Sequence, residues 1–307
     1  MIIFPNKELN FLNKKKYLKP ETVAKLNSMA LRARLIVEGY IIGHHRSPYH
    51  GFSVEFAEHK AYGAGDEVRH IDWKLYGKTD RLYVKRYQEE TNLRANIILD
   101  ASNSMTYKSD KISKLQYANS LAAALSYIMI NQQDALGLVK FSDKIDCFIQ
   151  PKSRPSHLNI ILNQLNDFES GKNTNIEKVL HEMADRINKR GLIILISDLL
   201  DEPKKIMKGL KHFRHKNQEI IVFHLFDRKE IIFDYNTRTK FLDMETGVEI
   251  DTEPWNIRNN YVNLINDLQN FYKTQCSNDL IDYIPIITDQ NLDLSLTEYI
   301  KKRKKLN

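Results

Sequence analysis

The sequence predicts an α/β protein with a doubly wound, mostly parallel sheet, preceded by an N-terminal helix and a small β-rich subdomain. Two observations predict it. From Asn92 onward, short apolar runs alternate with amphipathic segments, the pattern of parallel strands covered by helices on both faces. Residues 43–92 instead combine glycines at 43, 51, 63, 65 and 77 with short alternating stretches such as 81–87, which suits hairpins and loops. The expected division is 1–92, helix plus β-rich subdomain, and 93–307, the α/β body with a C-terminal extension.

Each element has its own signal. Glu21 to Glu38 carries Val23, Leu26, Met29, Leu31, Leu35 and Ile36 at helical spacing. Ala95 to Leu99 reads as a buried strand ending in Asp100, and a helix follows from Lys111 with Ile112, Leu115, Ala118, Ala122, Leu125 and Met129 on one face. Ala135 to Phe141 and Ile145 to Ile149 are neighbouring strands; Ile160, Leu162 and Leu165 mark a short helix, and Ile176 to Ile187 another. Leu192 to Ile196 is a strand running into Ser197 and Asp198. Pro203 then suits a first helical turn, where its missing N–H costs nothing. Ile220 to Phe226 is a strand, Glu245 to Gly247 a hairpin turn, and Ile257, Tyr261, Leu264, Leu268 and Phe271 an apolar helical stripe. Ile281 to Ile287 and Leu294 to Ile300 close the chain as strand and helix.

The 307 residues, 42% hydrophobic and 28% charged, suffice for about two packed domains and exclude a disordered chain. No stretch approaches the roughly 20 apolar residues that span a bilayer. In the opening MIIFPNKELNF the apolar run precedes the lysine, the reverse of a secretory signal. Cys147 and Cys276 are too few for a disulfide scaffold or a cysteine-built zinc site, so a reducing, cytoplasmic setting is expected. The net charge of +7 sits at the ends: Lys14, Lys15, Lys16 and Lys19, then Lys301, Lys302, Arg303, Lys304 and Lys305. Without these the body carries about −2, so nucleic acid is not an expected partner, and the termini read as solvated basic ends. Such tails give at most peripheral, salt-sensitive membrane contact.

In an open parallel sheet, ligands gather where strands end and helices begin. There the sequence places Asp100, Ser102 and Ser104 after the first strand of the body, Thr174 before a helix, and Asp198 after a later strand. Alternate residues of a tight loop can face one way, so two carboxylates and three hydroxyls would meet at one sheet edge. Hard oxygen donors of this kind suit Mg²⁺ or Mn²⁺ rather than zinc. Neutral hydroxyl ligands leave the ion much of its charge, so it would accept a carboxylate from another molecule. The pattern resembles a von Willebrand factor A domain with its metal-ion-dependent adhesion site, whose Asp-x-Ser-x-Ser, Thr and Asp match Asp100, Ser102, Ser104, Thr174 and Asp198. Asn175 and the segment 198–201 depart from the commonest forms of that site.

A second resemblance covers about Glu38 to Lys302. Tyr62, Gly63, Gly65, Asp66, Arg69, Asp72 and Trp73, preceded by Ser47, Gly51, Glu55 and Phe56, resemble the signature of the bacterial domain-of-unknown-function family fifty-eight, as do 225–227 and 299–303. Lys60 stands where such proteins often carry arginine. The resemblance implies a protein partner, a MoxR-type AAA+ ATPase, and a chaperone-like adaptor role toward a further client. Read physically, Asp66, Arg69 and Asp72 alternate in charge so that the arginine can bridge two carboxylates, with Trp73 as an apolar anchor. This is either an ion-pair network fastening the subdomain or a partner surface.

The expected function is therefore a non-enzymatic, metal-dependent interaction module. The alternative is a Mg²⁺-dependent hydrolase of phosphatase or nuclease type. The chain lacks a phosphate-binding Gly-x-x-x-x-Gly-Lys-Ser/Thr loop, and its motif contains no second aspartate, histidine or lysine to act as acid or base. Zinc on His44, His45, His59, His70, His212 or His215 lacks a recognised ligand spacing.

Overall fold

The apolar runs become strands of one sheet, of which 94–100, 135–141, 192–197 and 219–226 are buried on both faces and the two edge strands are only partly buried. A computed structural model of the chain describes residues 20–24, 28–43, 59–63, 73–85, 93–166, 175–244 and 247–306. Helices α1 (Pro20–Ala24) and α2 (Met29–Gly43) come first, then strand β1 (His59–Ala61), helix α3 (Trp73–Thr79) and strand β2 (Tyr83–Lys85). Next are β3 (Arg94–Asp100), a 3-10 turn (Asn103–Thr106), α4 (Lys114–Asn131), β4 (Ala135–Phe141), β5 (Ile145–Lys152), α5 (Pro155–Asn166) and α6 (Ile176–Arg186). The last third holds β6 (Leu192–Ser197), α7 (Pro203–His215), β7 (Glu219–Phe226), α8 (Arg228–Ile232), β8 (Thr239–Leu242), β9 (Glu249–Thr252), α9 (Pro254–Asn278), β10 (Asp282–Ile287) and α10 (Leu292–Leu306).

The six-stranded sheet has the order β10-β7-β6-β3-β4-β5, all pairs parallel except β4 with β5. Side chains alternate between two cores, as the two-residue period of a strand requires. Ile97 and Leu99 face the core shared with α2, α4, α5 and α10, whereas Ile98 faces the one shared with α6, α7 and α9. From β3 the chain runs outward to β4 and β5, then returns to lay β6 on the other side of β3. The helices after β3 and β6, α4 and α7, therefore cover opposite faces, and the loops leaving these strands part at the carboxyl edge. That divergence makes a crevice at the switch point of the strand order.

Local sequence sets the helix starts. Ser113 caps α4, accepting from Gln116 N at 3.2 Å, while Gln116 Oε1 accepts from Ser113 N at 3.1 Å. This reciprocal box satisfies two otherwise orphaned donors. Pro203 opens α7, as expected. Gly247 (φ +73°) lies between the paired strands β8 and β9, in the left-handed region that glycine enters without strain.

Several expectations need correction. The sequence groups the N-terminal helix with the β-rich segment, but α2 packs along α4 through Met29, Ala33, Ile36, Val37 and Tyr40. Described residues 20–43 thus belong with those of 93–306, and described residues 59–63 and 73–85 fall in a separate unit. In that unit β1 and β2 pair antiparallel, Tyr62 N donates to Leu82 O at 2.9 Å, and α3 lies between the strands in sequence. The apolar stripe of α9 holds in part: Leu268 and Phe271 pack against the core and Tyr261 stacks on Phe233, but Ile257 and Leu264 are exposed, and Ile265, Tyr272 and Cys276 are the fully buried positions. Ile160 is likewise exposed on α5, whose buried face carries Ile161, Leu162 and Leu165. Leu294 is exposed too, since α10 buries Leu292, Leu296, Tyr299 and Ile300. Helical spacing alone does not distinguish adjacent apolar positions; the direction in which the sheet lies does. Nor is the C-terminal basic run wholly solvated, because Lys302 Nζ lies 2.9 Å from both Glu219 and Asp282. Among the described residues no helix is long and apolar enough to cross a membrane.

Replacing Ser113 with Ala should lower stability by about 1 kcal/mol, by loss of the cap alone. Urea unfolding with an unchanged m-value checks this.

Candidate functional site

Strand β3 ends at Asp100, which is fully buried. Its Oδ1 accepts from Ser102 N at 2.9 Å, curling the loop, and its Oδ2 accepts from Ser197 Oγ at 2.6 Å. Ser197 Oγ in turn accepts from Leu199 N at 2.9 Å, so one hydroxyl joins the ends of β3 and β6 across the switch point. The curled loop brings Ser102 Oγ within 3.0 Å of Ser104 Oγ, the convergence that alternation predicts. Asn103, between them, points away and donates from Nδ2 to Met244 O, linking the loop to the segment after β8.

Asp198, 2% exposed, sits beside this pair of loops. Its Oδ2 lies 2.8 Å from Lys114 Nζ, and the same ammonium lies 2.7 Å from Glu230 Oε1. Glu230 also completes the cap of α8, its Oε2 accepting from Asp227 N at 2.7 Å. Asp227 caps that helix and accepts from Ser109 N at 2.8 Å, tying the β7–α8 turn to the loop after β3. His224 Nε2 meets the Asp198 carbonyl at 2.8 Å and its Nδ1 meets Tyr283 OH at 2.8 Å. A carbonyl can only accept, so Nε2 carries the proton and Nδ1 accepts from the tyrosine.

The electrostatics follow from burial. Burial, reinforced by repulsion from Asp198, pushes the Asp100 carboxyl up to about 7, against hydrogen bonds from Ser197 and Ser102. Burial alone would lower Lys114, but Asp198 and Glu230 outweigh it and hold the ammonium above its ordinary value, so Lys114 stays charged. Burial also raises Glu230, with Lys114 opposing. His224, fully enclosed, is pushed down to about 3 and stays neutral.

Of the five expected donors, Asp100, Ser102, Ser104 and Asp198 come together at the carboxyl edge, whereas Thr174 lies outside the described residues. Asp66, Arg69 and Asp72 also lie outside them; Trp73 opens α3, 59% exposed and edge-on to Tyr76. Sequence reasoning missed Lys114, Glu230, Ser197 and His224. The Asp227-x-x-Glu230 cap was legible as a helix start, but nothing local reveals that Lys114 reaches Asp198. The motif itself holds no lysine, yet the fold supplies one. His212 meets a residue the sequence did not suggest, His181 of α6, Nδ1 to Nδ1 at 3.1 Å.

Among the described residues no three His, Cys, Asp or Glu side chains converge as metal ligands, so an ion here would depend on hydroxyls. The hydroxyls fit. Adjacent oxygens of an octahedron with bonds of about 2.1 Å stand about 3 Å apart, the separation of Ser102 Oγ and Ser104 Oγ. Among the described residues no basic group pairs with Asp100, so its charge is balanced either by a proton or by a cation beside the hydroxyls. A cleft of about 470 Å³ opens alongside, lined by Ser104, Lys114, Leu200, Leu242, Val248 and Ile250.

The fold is a doubly wound, mostly parallel α/β sheet with the loop 100–104 at its carboxyl edge. The chain belongs to the family described as "Protein of unknown function DUF58", whose pattern matches residues 58–270. It is 21% identical over 232 residues to uncharacterised proteins of Mycobacterium tuberculosis and Mycobacterium bovis, spanning 75% of this chain and 73% of theirs. Among solved structures it is similar to BatB from Bacteroides thetaiotaomicron, with 16% identity and TM-score 0.46, over 69% of this chain and 99% of that one. An aerotolerance-related membrane protein from Bacteroides fragilis gives 16% identity and TM-score 0.47, over 68% and 99%. The SpRpn10 VWA domain gives 12% and 0.37, over 67% and 94%.

A histidine whose folded value is depressed makes the unfolded state bind more protons between the two values, so its stabilisation is lost as pH falls. The stability of the native protein minus that of His224→Gln should therefore fall by up to about 1.4 kcal/mol per pH unit from 6.5 toward 3. Asp100 titrates in the opposite sense in both proteins and cancels in the difference. Parallel urea titrations across this range would show the effect; identical pH slopes would exclude it.

Proposed function

We propose that the protein is a non-enzymatic interaction module of the bacterial cytoplasm that binds a protein partner at the carboxyl edge of its sheet through Mg²⁺ or Mn²⁺. The observation that carries this reading is the Ser102–Ser104 hydroxyl pair, 3.0 Å apart above the buried Asp100 carboxylate. Ser102 and Ser104 would hold the ion, Asp100 would supply charge, and Thr174 and Asp198 are the remaining candidate donors. A bound ion of this kind contributes an open, strongly positive coordination position for a partner's Asp or Glu. Beside it Leu200, Leu242, Val248 and Ile250 are 49–60% exposed. Apolar surface next to a polar centre is the arrangement of recognition sites. The expected partner, from the family resemblance, is a MoxR-type AAA+ ATPase, with a client beyond it.

Lys114 does not supply the hydrolase alternative with a general base. An ammonium held by two carboxylates has no lone pair with which to take a proton.

Removing Asp100 takes away the charge under the hydroxyls, so Asp100→Asn should weaken Mn²⁺ binding by about 10- to 100-fold, the range for groups that support metal ligands. Co-purification with the MoxR-type ATPase should be lost in Asp100→Asn and in EDTA. Equal recovery in all conditions would remove the metal from recognition.

A further inference from the structure

Lys114 occupies a position that needs explanation. It is the first residue of α4, where the helix dipole disfavours a cation, and its side chain is 1% exposed. Burying an ammonium is costly unless close opposite charges accompany it. Asp198 Oδ2 at 2.8 Å and Glu230 Oε1 at 2.7 Å supply them, with the Tyr107 ring centroid 5.8 Å away. Among the described residues Asp198 Oδ1 receives only a long contact from Leu200 N, at 3.4 Å. The carboxylate that the resemblance assigns to the metal is thus already neutralised by a lysine of the same chain.

We infer that Lys114 is a resident cation of this site, which withdraws Asp198 from the metal's ligand set and sets how tightly a divalent ion is held. The inference rests on the metal-binding reading above. Two consequences follow from charge alone. An ammonium bound to Asp198 repels a dication at the neighbouring hydroxyls and removes the second carboxylate that would attract it. An ion in the native protein would therefore be left with Ser102, Ser104, Asp100 and the candidate Thr174 and be weakly held, so that a partner's carboxylate would contribute much of its retention. Neutralising Lys114 frees Asp198 for the metal. Glu230 is the second anchor: it keeps the ammonium buried and links the site to the turn capped by Asp227.

The test is calorimetric titration of the full chain with Mn²⁺, comparing native protein, Lys114→Gln and the Lys114→Gln/Asp198→Asn double variant. Glutamine keeps donors for both carboxylates while removing the charge. Lys114→Gln should bind Mn²⁺ at least about tenfold more tightly than the native chain, as expected when a like charge nearby is removed. The double variant should lose that gain. Thermal unfolding with Mn²⁺ and with EDTA accompanies the titrations, and a Lys114→Gln protein folded only with Mn²⁺ also supports the inference. It is overturned if Lys114→Gln binds no more tightly than native protein, if the double variant keeps the gain, or if Lys114→Gln stays unfolded with and without Mn²⁺. Its failure differs from failure of the metal reading, in which native and folded Lys114→Gln proteins both show no Mn²⁺ binding at millimolar concentration.

Discussion

Two buried carboxylates, Asp100 and Asp198, a partly exposed one, Glu230, and one buried ammonium, Lys114, are grouped where β3, β6 and β7 end. Around them the organisation of the sheet edge is a matter of charge. Lys114 is buried against both Asp198 and Glu230, and without it Asp198 would be an unpaired buried charge, whereas Glu230, 20% exposed, also accepts from Asp227 N. Asp100 is treated differently. It has hydrogen bonds from Ser102 N and Ser197 Oγ and, among the described residues, no basic group with which it pairs. The site thus has one carboxylate neutralised from within and one whose balance is left to something else.

The same contacts join chain segments that are far apart in sequence. Lys114 brings the start of α4 to the ends of β6 and β7, Ser197 ties β6 to β3, and Asn103 fastens the serine loop to the segment after β8. Because the fastenings are buried or half-buried, the loop carrying Ser102 and Ser104 is held in place before any ligand arrives. Preorganisation of this kind lets a small site bind with little ordering cost. The apolar cleft beside it then offers area where the ion offers direction.

Much of the fold was legible. The strand at Ala135–Phe141 and the helix starting at Pro203 fall where composition put them, because a strand buried on both faces must be apolar throughout and proline favours a first turn. Burial along the long helix α9 was not legible at its N-terminal half. Leu264 and Ile265 are equally apolar, and only the direction of the sheet selects the second. Lys302 shows the same limit for charge: a basic run looks solvated until two acidic residues of neighbouring strands, Glu219 and Asp282, are placed beside it.

The sequence by itself determined the alternation of strands and helices, and with it the sheet edge where Asp100, Ser102, Ser104 and Asp198 meet. Periodicity and strand ends are local properties, and local residues specify them. Tertiary structure alone decided the ionic partners. Lys114 lies 84 residues from Asp198 and 116 from Glu230. No local pattern encodes such a separation, since a buried ion pair forms only when the strand order brings its partners within reach and excludes water around them.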